Sequence, residues 1–270
     1  MVNTSNIKKS PKYKKAKIIA ICNQKGGVGK TTSTINLGAS LAMYGCRVLL
    51  IDLDPQSALS AGLGIPIYKF VFTVQNLLID PTVSISDVII NTCISGMDIV
   101  PSNVDLSTVD IELVNKTNRE YLLSKSLDLV YSHYDFILID CQPSLGLLTI
   151  NGLACADSVI IPTECEYFAL RGLASLTDTV NKFHSQINPK LTINGILITR
   201  YNPCTVNARD IMFDIVEYFG NLVFKTIVLK TIKFPETSLA GKPIIKIEPK
   251  SGGAIAYKLL ANEVLERFII

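Results

Sequence analysis

A chain of 270 residues, 48% of them apolar, is long enough for one large α/β domain with a sizeable core. Its net charge of +3 hides an uneven distribution, with residues 1–17 at +6, residues 18–183 at −7 and residues 184–270 at +4. Seven scattered cysteines with no Cys-x-x-Cys pair exclude a disulfide scaffold and read as buried thiols of a reduced cytosolic protein, and no apolar run is long enough for a membrane span.

In chain order, residues 1–16 read as a basic, flexible tail, followed by a domain over residues 17–270. The tail precedes a short strand rather than a long apolar core, so it is not a signal peptide. Its lysines suit either contact with nucleic acid or simple solubility. Ile18–Cys22 is predicted as a buried strand, followed by Lys25-Gly26-Gly27-Val28-Gly29-Lys30-Thr31-Thr32 and a helix over Lys30–Tyr44. A strand, a glycine loop and a Lys-Thr pair opening a helix make a nucleotide phosphate site. The glycines let backbone N–H groups approach phosphates closely, and the helix adds the positive end of its dipole. Lys30 is expected to reach the β- and γ-phosphates, and the Thr31 hydroxyl to bind Mg²⁺. The additional lysine, Lys25, suggests a nucleotide gripped from two sides.

Arg47–Ile51 is the next predicted strand, followed by Asp52 and Asp54. Carboxylates at the carboxyl end of a parallel strand face the ligand crevice. One is expected to organise Mg²⁺ or its waters and the other to position an attacking water; the alternative is a cap on the next segment. Residues 56–96 read as short helical pieces and turns, Met97–Val100 as a short strand and 105–131 as one or two helices. The strand Phe136–Ile139 leads to Asp140, an acidic residue placed to hold a Mg²⁺ shell, and to the loop Cys141-Gln142-Pro143-Ser144-Leu145-Gly146, read as a γ-phosphate sensor. The remaining predicted elements are a helix over Leu145–Leu153, a strand over Ser158–Ile161, a helix over Leu170–His184, a strand over Leu191–Thr199, a helix over Val206–Phe219, a strand over Leu222–Ile227 and a closing helix over Gly253–Phe268. This alternation predicts a single α/β domain of P-loop NTPase type, a mostly parallel twisted sheet flanked by helices, with no repeat and no second domain.

Lys25–Thr32, the run Leu49-Leu50-Ile51-Asp52-Leu53-Asp54-Pro55-Gln56, the run from Ile139 to Asn151, Gly241-Lys242-Pro243-Ile244 and Ser251-Gly252-Gly253-Ala254 together resemble the ParA/Soj branch of the ParA/MinD deviant-Walker-A ATPases, over about residues 17–267. The resemblance implies ATP and Mg²⁺ as cofactors and an ATP-sandwich homodimer. In it Lys25 crosses to the partner's nucleotide, Lys30 and Thr31 serve their own, Asp54 orients the hydrolytic water, Asp140 is the Walker B acid, and a larger side chain at Gly26 obstructs closure. It also implies DNA partitioning: the ATP dimer binds double-stranded DNA without sequence preference, and a ParB/Spo0J-like activator, acting through a basic amino-terminal peptide, stimulates hydrolysis and release. The protein would then be cytoplasmic and nucleoid-associated. Arg200, Arg209, Lys230, Lys233 and Lys242 are the candidate DNA contacts, with Lys225, Lys246 and Lys250 beside them. The sequence departs from the family at Cys204, where relatives carry an arginine often assigned to DNA, at Lys230 and Lys233, where they carry arginine, and at Gln142, which replaces a proline. A MinD-like membrane switch would need an amphipathic helix beyond Phe268-Ile269-Ile270, so no membrane partner is expected; a non-DNA cargo stays open. Cys141 and Cys155 form no iron–sulfur motif.

Overall fold

The computed structural model describes residues 15–66, 68–69 and 72–269. Residues 1–14 of the expected basic tail lie outside the described residues. Eight strands among the described residues form one sheet: β1 (Lys17–Ile21), β2 (Val48–Leu53), β3 (Ile90–Asn91), β4 (Met97–Val100), β5 (Phe136–Cys141), β6 (Ser158–Thr163), β7 (Thr192–Tyr201) and β8 (Val223–Leu229). Their order is β3-β4-β2-β5-β1-β6-β7-β8, and every neighbouring pair is parallel except β3–β4.

The helices are α1 (Lys30–Met43), α2 (Ala58–Gly62), α3 (Val74–Ile79), α4 (Ile85–Val88), α5 (Val109–Glu112), α6 (Leu122–Leu127), α7 (Leu147–Cys155), α8 (Ala169–Gln186), α9 (Val206–Phe219), α10 (Lys233–Leu239), α11 (Ile244–Ile247) and α12 (Gly252–Ile269). They divide between the two faces of the sheet. Ile18 and Ala20 of β1 point into a core with Leu148 and Leu153 of α7 and Leu173 and Leu176 of α8. Ile19 and Ile21 point the other way, to Leu37 and Leu41 of α1 and Leu260 and Val264 of α12. A strand covered on both faces needs an unbroken apolar run, which is why β2 and β5 carry almost nothing polar before their carboxyl ends.

Three departures from the sequence reading are local. Residues 105–131 are broken into 3₁₀ turns, α5 and α6, and Asn118, with a left-handed φ of 54°, leads into the turn before α6. The short helices α10 and α11 were not expected. Pro235 lies in the first turn of α10, where a missing N–H costs no helical bond, and Pro243 caps α11. Strands β2 and β5 also run on past Ile51 and Ile139, so Asp52 and Asp140 lie inside the ladder as direct register neighbours.

One close approach fixes the segment after α10. A Cβ on Gly241, whose φ is +63°, would stand 2.7 Å from the Gly64 Cα and 2.9 Å from its N, so backbone must move to admit a side chain. Gly241→Val is therefore expected to lower stability by about 1–3 kcal/mol in urea unfolding.

Candidate functional site

The loop between β1 and α1 is tied down at its flanks and open in its middle. The Asn23 side chain donates to the Pro162 carbonyl at 2.7 Å and accepts from the Lys25 amide at 3.0 Å. The buried Val28 offers its carbonyl to the Thr199 hydroxyl of β7 at 2.7 Å. Gly27 and Gly29 take φ +77° and +83°, and no atom lies within 4 Å of where a Cβ on Gly26 or Gly27 would stand. Helix α1 starts without a side-chain cap and has no acid in its first turn. Its first N–H groups thus remain available, at the positive end of a helix of 14 residues.

Lys30 is buried, and its Nζ donates to the Lys25 carbonyl at 3.0 Å. Burial pulls its pKa down, opposed chiefly by Asp140. The Thr31 hydroxyl donates to Asp140 Oδ2 at 2.7 Å, and the Thr34 hydroxyl to Oδ1 at 3.2 Å. Burial, and then the charge of Asp52, push the Asp140 carboxyl up to about 8. Asp52 is turned elsewhere. Its Oδ2 accepts from the Ser60 amide at 2.9 Å and the Ser60 hydroxyl at 2.7 Å, and its Oδ1 accepts from the Asp54 amide. These bonds tie Asp52 to the turn that leads into α2. Burial raises it to about 6. Asp54 is half-buried, with Oδ1 held by the Gln56 amide at 2.9 Å.

The donors suit magnesium and phosphate. Thr31 and Asp140 offer hard oxygens side by side, and one carboxylate with a hydroxyl is the sparse set that Mg²⁺ accepts when phosphates and waters complete its shell. Among the described residues no group of three His, Cys, Asp or Glu is placed to hold a metal by protein ligands alone. Beside the loop lies a cavity of about 200 Å³, lined by Gly27, Gly29, Thr32, Thr199, Arg200 and Lys230 among others.

A model of the AAA domain family matches residues 16–193. An uncharacterized protein of Mycobacterium tuberculosis is 62% identical over 94% of this chain and 80% of its own length. The chromosome-partitioning ATPase Soj of Treponema pallidum is 45% identical over 93% of this chain and 98% of its own. The chain belongs to the ParA/Soj branch of the ParA/MinD ATPases. Its fold also superimposes on a Mycobacterium smegmatis structure described as cobyrinic acid a,c-diamide synthase with bound ADP and magnesium, at a TM-score of 0.82 and 35% identity, over 94% of this chain and 96% of the other. None of the described helices is long and apolar enough to cross a membrane.

In this ParA/Soj ATPase the sequence-derived residues fall into two groups. Lys25 to Thr32, Asp54 and Asp140 meet at the carboxyl edge of the sheet. Of the candidate DNA residues, Arg200 and Lys230 line the cavity beside the loop. Arg200 pairs with Glu164, and Lys233 pairs with Glu236 at 3.4 Å and Glu248 at 3.1 Å. Arg209, Lys230 and Lys242 are exposed and make no ion pair with a described residue, although Lys230 lines the cavity beside the loop. Sequence reasoning missed Glu164 and Glu166, both of which reach Lys25. They follow β6 at its carboxyl end, so the rule that selected Asp52 and Asp140 would have found them.

The raised Asp140 carboxyl has a consequence for stability. A carboxyl whose pKa is higher in the folded chain than in the unfolded one stabilises the fold below the unfolded pKa, and the contribution is lost as pH rises through the folded pKa. The window therefore runs from 3.8 to about 8. Asp140→Asn is expected to raise the Tm of the nucleotide-free protein at pH 8 by several degrees and to flatten its decline across that window, read by calorimetry against wild type.

Proposed function

We propose that this ATPase is a DNA-partitioning switch whose ATP-bound homodimer binds double-stranded DNA without sequence preference and lets go on hydrolysis. The observation that carries this reading is the position of Lys25. It stands at the open mouth of the loop, half-exposed and turned to Glu166 and Glu164 instead of inward, while Lys30 alone occupies the interior. A lysine so placed suits a nucleotide on a second subunit, where it would neutralise charge developing on the γ-phosphate only after assembly. Lys30 and the N-terminus of α1 hold the phosphates of the chain's own ATP, and the cavity lined by Thr199 and Arg200 receives its nucleoside. Thr31 and Asp140 would hold Mg²⁺, which supplies charge neutralisation at the β- and γ-phosphates. Asp54 orients the attacking water. Asp52 fixes the turn that carries Asp54.

Arg209, Lys230 and Lys242 supply the positive charge for DNA phosphates, a contact that needs no base reading. A ParB/Spo0J-like activator stimulates the hydrolysis step, and the protein associates with the nucleoid in the ATP state. Binding to random duplex DNA, compared with ATP, ADP and no nucleotide across a salt series, tests the reading. The expected result is binding with ATP alone, weakening log-linearly with salt. Absence of DNA binding in every state would point to another cargo. Hydrolysis stimulated by a carboxylic acid and an amide-nitrogen donor would favour the synthase chemistry named for the M. smegmatis protein.

A further inference from the structure

Four charges meet at the mouth of the loop. Lys25 Nζ contacts Glu166 and stands 3.9 Å from Glu164, and Arg200 Nε contacts the other oxygen of Glu164. The side chains of Lys25, Glu166 and Arg200 are about half exposed, whereas that of Glu164 is only 14% exposed. Two carboxylates at the rim of an anion site are electrostatically unfavourable, because each repels the phosphates that Lys30 and α1 attract. Arg200 is itself strained, since its φ of +49° is a left-handed conformation that costs energy for any residue with a branched or long side chain. An arginine at such a position, reaching a sheltered carboxylate that also faces Lys25, points to a task for the pair.

We propose that Glu164 and Arg200 are positioning residues that set how firmly Lys25 is held in the free chain. This rests on the reading of Lys25 as the lysine that crosses to the partner's nucleotide. Glu166 is exposed to solvent, so water and salt screen its pull on the lysine. Glu164 is sheltered and its pull is screened less, but it is divided between two cations. Its charge restrains Lys25, and Arg200 weakens that restraint by taking a share of the same carboxylate. Removing the carboxylate charge therefore frees Lys25, and removing the guanidinium tightens the hold. The two substitutions act in opposite directions on assembly, which loss of structure at either position would not produce.

Sedimentation velocity across a titration with the non-hydrolysable analogue AMPPNP reads this directly. Glu164→Gln is expected to lower the AMPPNP concentration at half-dimerisation about threefold, and Arg200→Gln to raise it by a similar factor, the size of effect ordinary for a partly exposed ion pair. The double variant is expected to match Glu164→Gln, since the guanidinium then has no carboxylate charge to share, a non-additivity that marks direct coupling. ADP binding by Glu164→Gln, a residue that does not line the cavity, is expected to change less than its dimerisation midpoint. If both single variants shift the midpoint in the same direction, or neither shifts it, while Lys25→Ala does not dimerise, the restraint is refuted and the reading of Lys25 stands. If Glu164→Gln gains ADP affinity in step with its midpoint, the carboxylate acts by repelling phosphate and not through Lys25, and the proposal is overturned. If Lys25→Ala dimerises as wild type does, the reading of Lys25 fails and the restraint with it.

Discussion

Lys25→Ala is expected to abolish ATP-dependent dimerisation and to lower kcat by about 10³-fold, while ATP binding by the monomer changes less than about threefold. The separation of these effects follows from the geometry. Lys30, proposed to serve the loop's own phosphates, is buried and bonded to the loop carbonyl of Lys25, and that bond uses the backbone and not the side chain of residue 25. The Lys25 side chain points to Glu166 and Glu164 at the solvent-facing mouth of the loop, away from Lys30. On the proposed reading its loss leaves the loop intact and removes a charge needed only across the interface. Light scattering with ATP, with ADP and without nucleotide, followed by steady-state hydrolysis, measures both effects. Tight ATP-dependent dimers of the variant would refute the proposed role. Gly26→Val offers an independent check at the same surface. A Cβ there meets no atom within 4 Å, so a failure to dimerise reflects the facing subunit and not a damaged fold.

Asp54→Ala is expected to reduce kcat by about 10²–10³-fold and to leave ATP-dependent dimers that persist, because in the proposed mechanism Asp54 orients the water and touches no phosphate. The Asp54 carboxylate is held in place by the Gln56 amide at Oδ1, and its backbone is anchored through its carbonyl by the Ser57 amide at 2.8 Å and the Ser102 hydroxyl at 2.9 Å. Beneath it, Asp52 and Ser60 fix the turn. Wild-type turnover in the alanine variant would remove Asp54 from the chemistry. Conversely, loss of nucleotide binding would mean that the carboxylate matters mainly as a counter-charge to Lys30, whose ammonium it helps to hold against desolvation.

The elements legible in the sequence were those whose apolar pattern is strong. Met97–Val100 and Val206–Phe219 fall where the pattern places them, and β1, β2 and β5 differ only at their ends. Those ends matter. Asp52 and Asp140 read as residues following their strands, but the ladder continues through both and makes them neighbours. Backbone pairing tolerates a carboxylate that finds local donors, and apolar periodicity carries no sign of this. The pieces between 104 and 127 and the short helices α10 and α11 were obscured for a related reason. Asn118, Pro235 and Pro243 mark some of their boundaries through backbone geometry, which apolar periodicity does not show.

The sequence by itself determined the phosphate loop, because close backbone approach to an anion demands glycines and a lysine at fixed spacing along one short segment. It also determined the parallel α/β architecture, since strands buried on both faces must be continuously apolar. Only the tertiary structure decided which charges face one another. Glu164 and Arg200 are 36 positions apart and Lys25 and Glu166 are 141 apart, and they meet because β1, β6 and β7 are adjacent and end at the same edge. It also divided the basic residues into those already neutralised, Arg200 and Lys233, and those left exposed, Arg209, Lys230 and Lys242. Charge pairing depends on distances of a few ångströms between side chains remote in sequence, which composition and spacing do not encode.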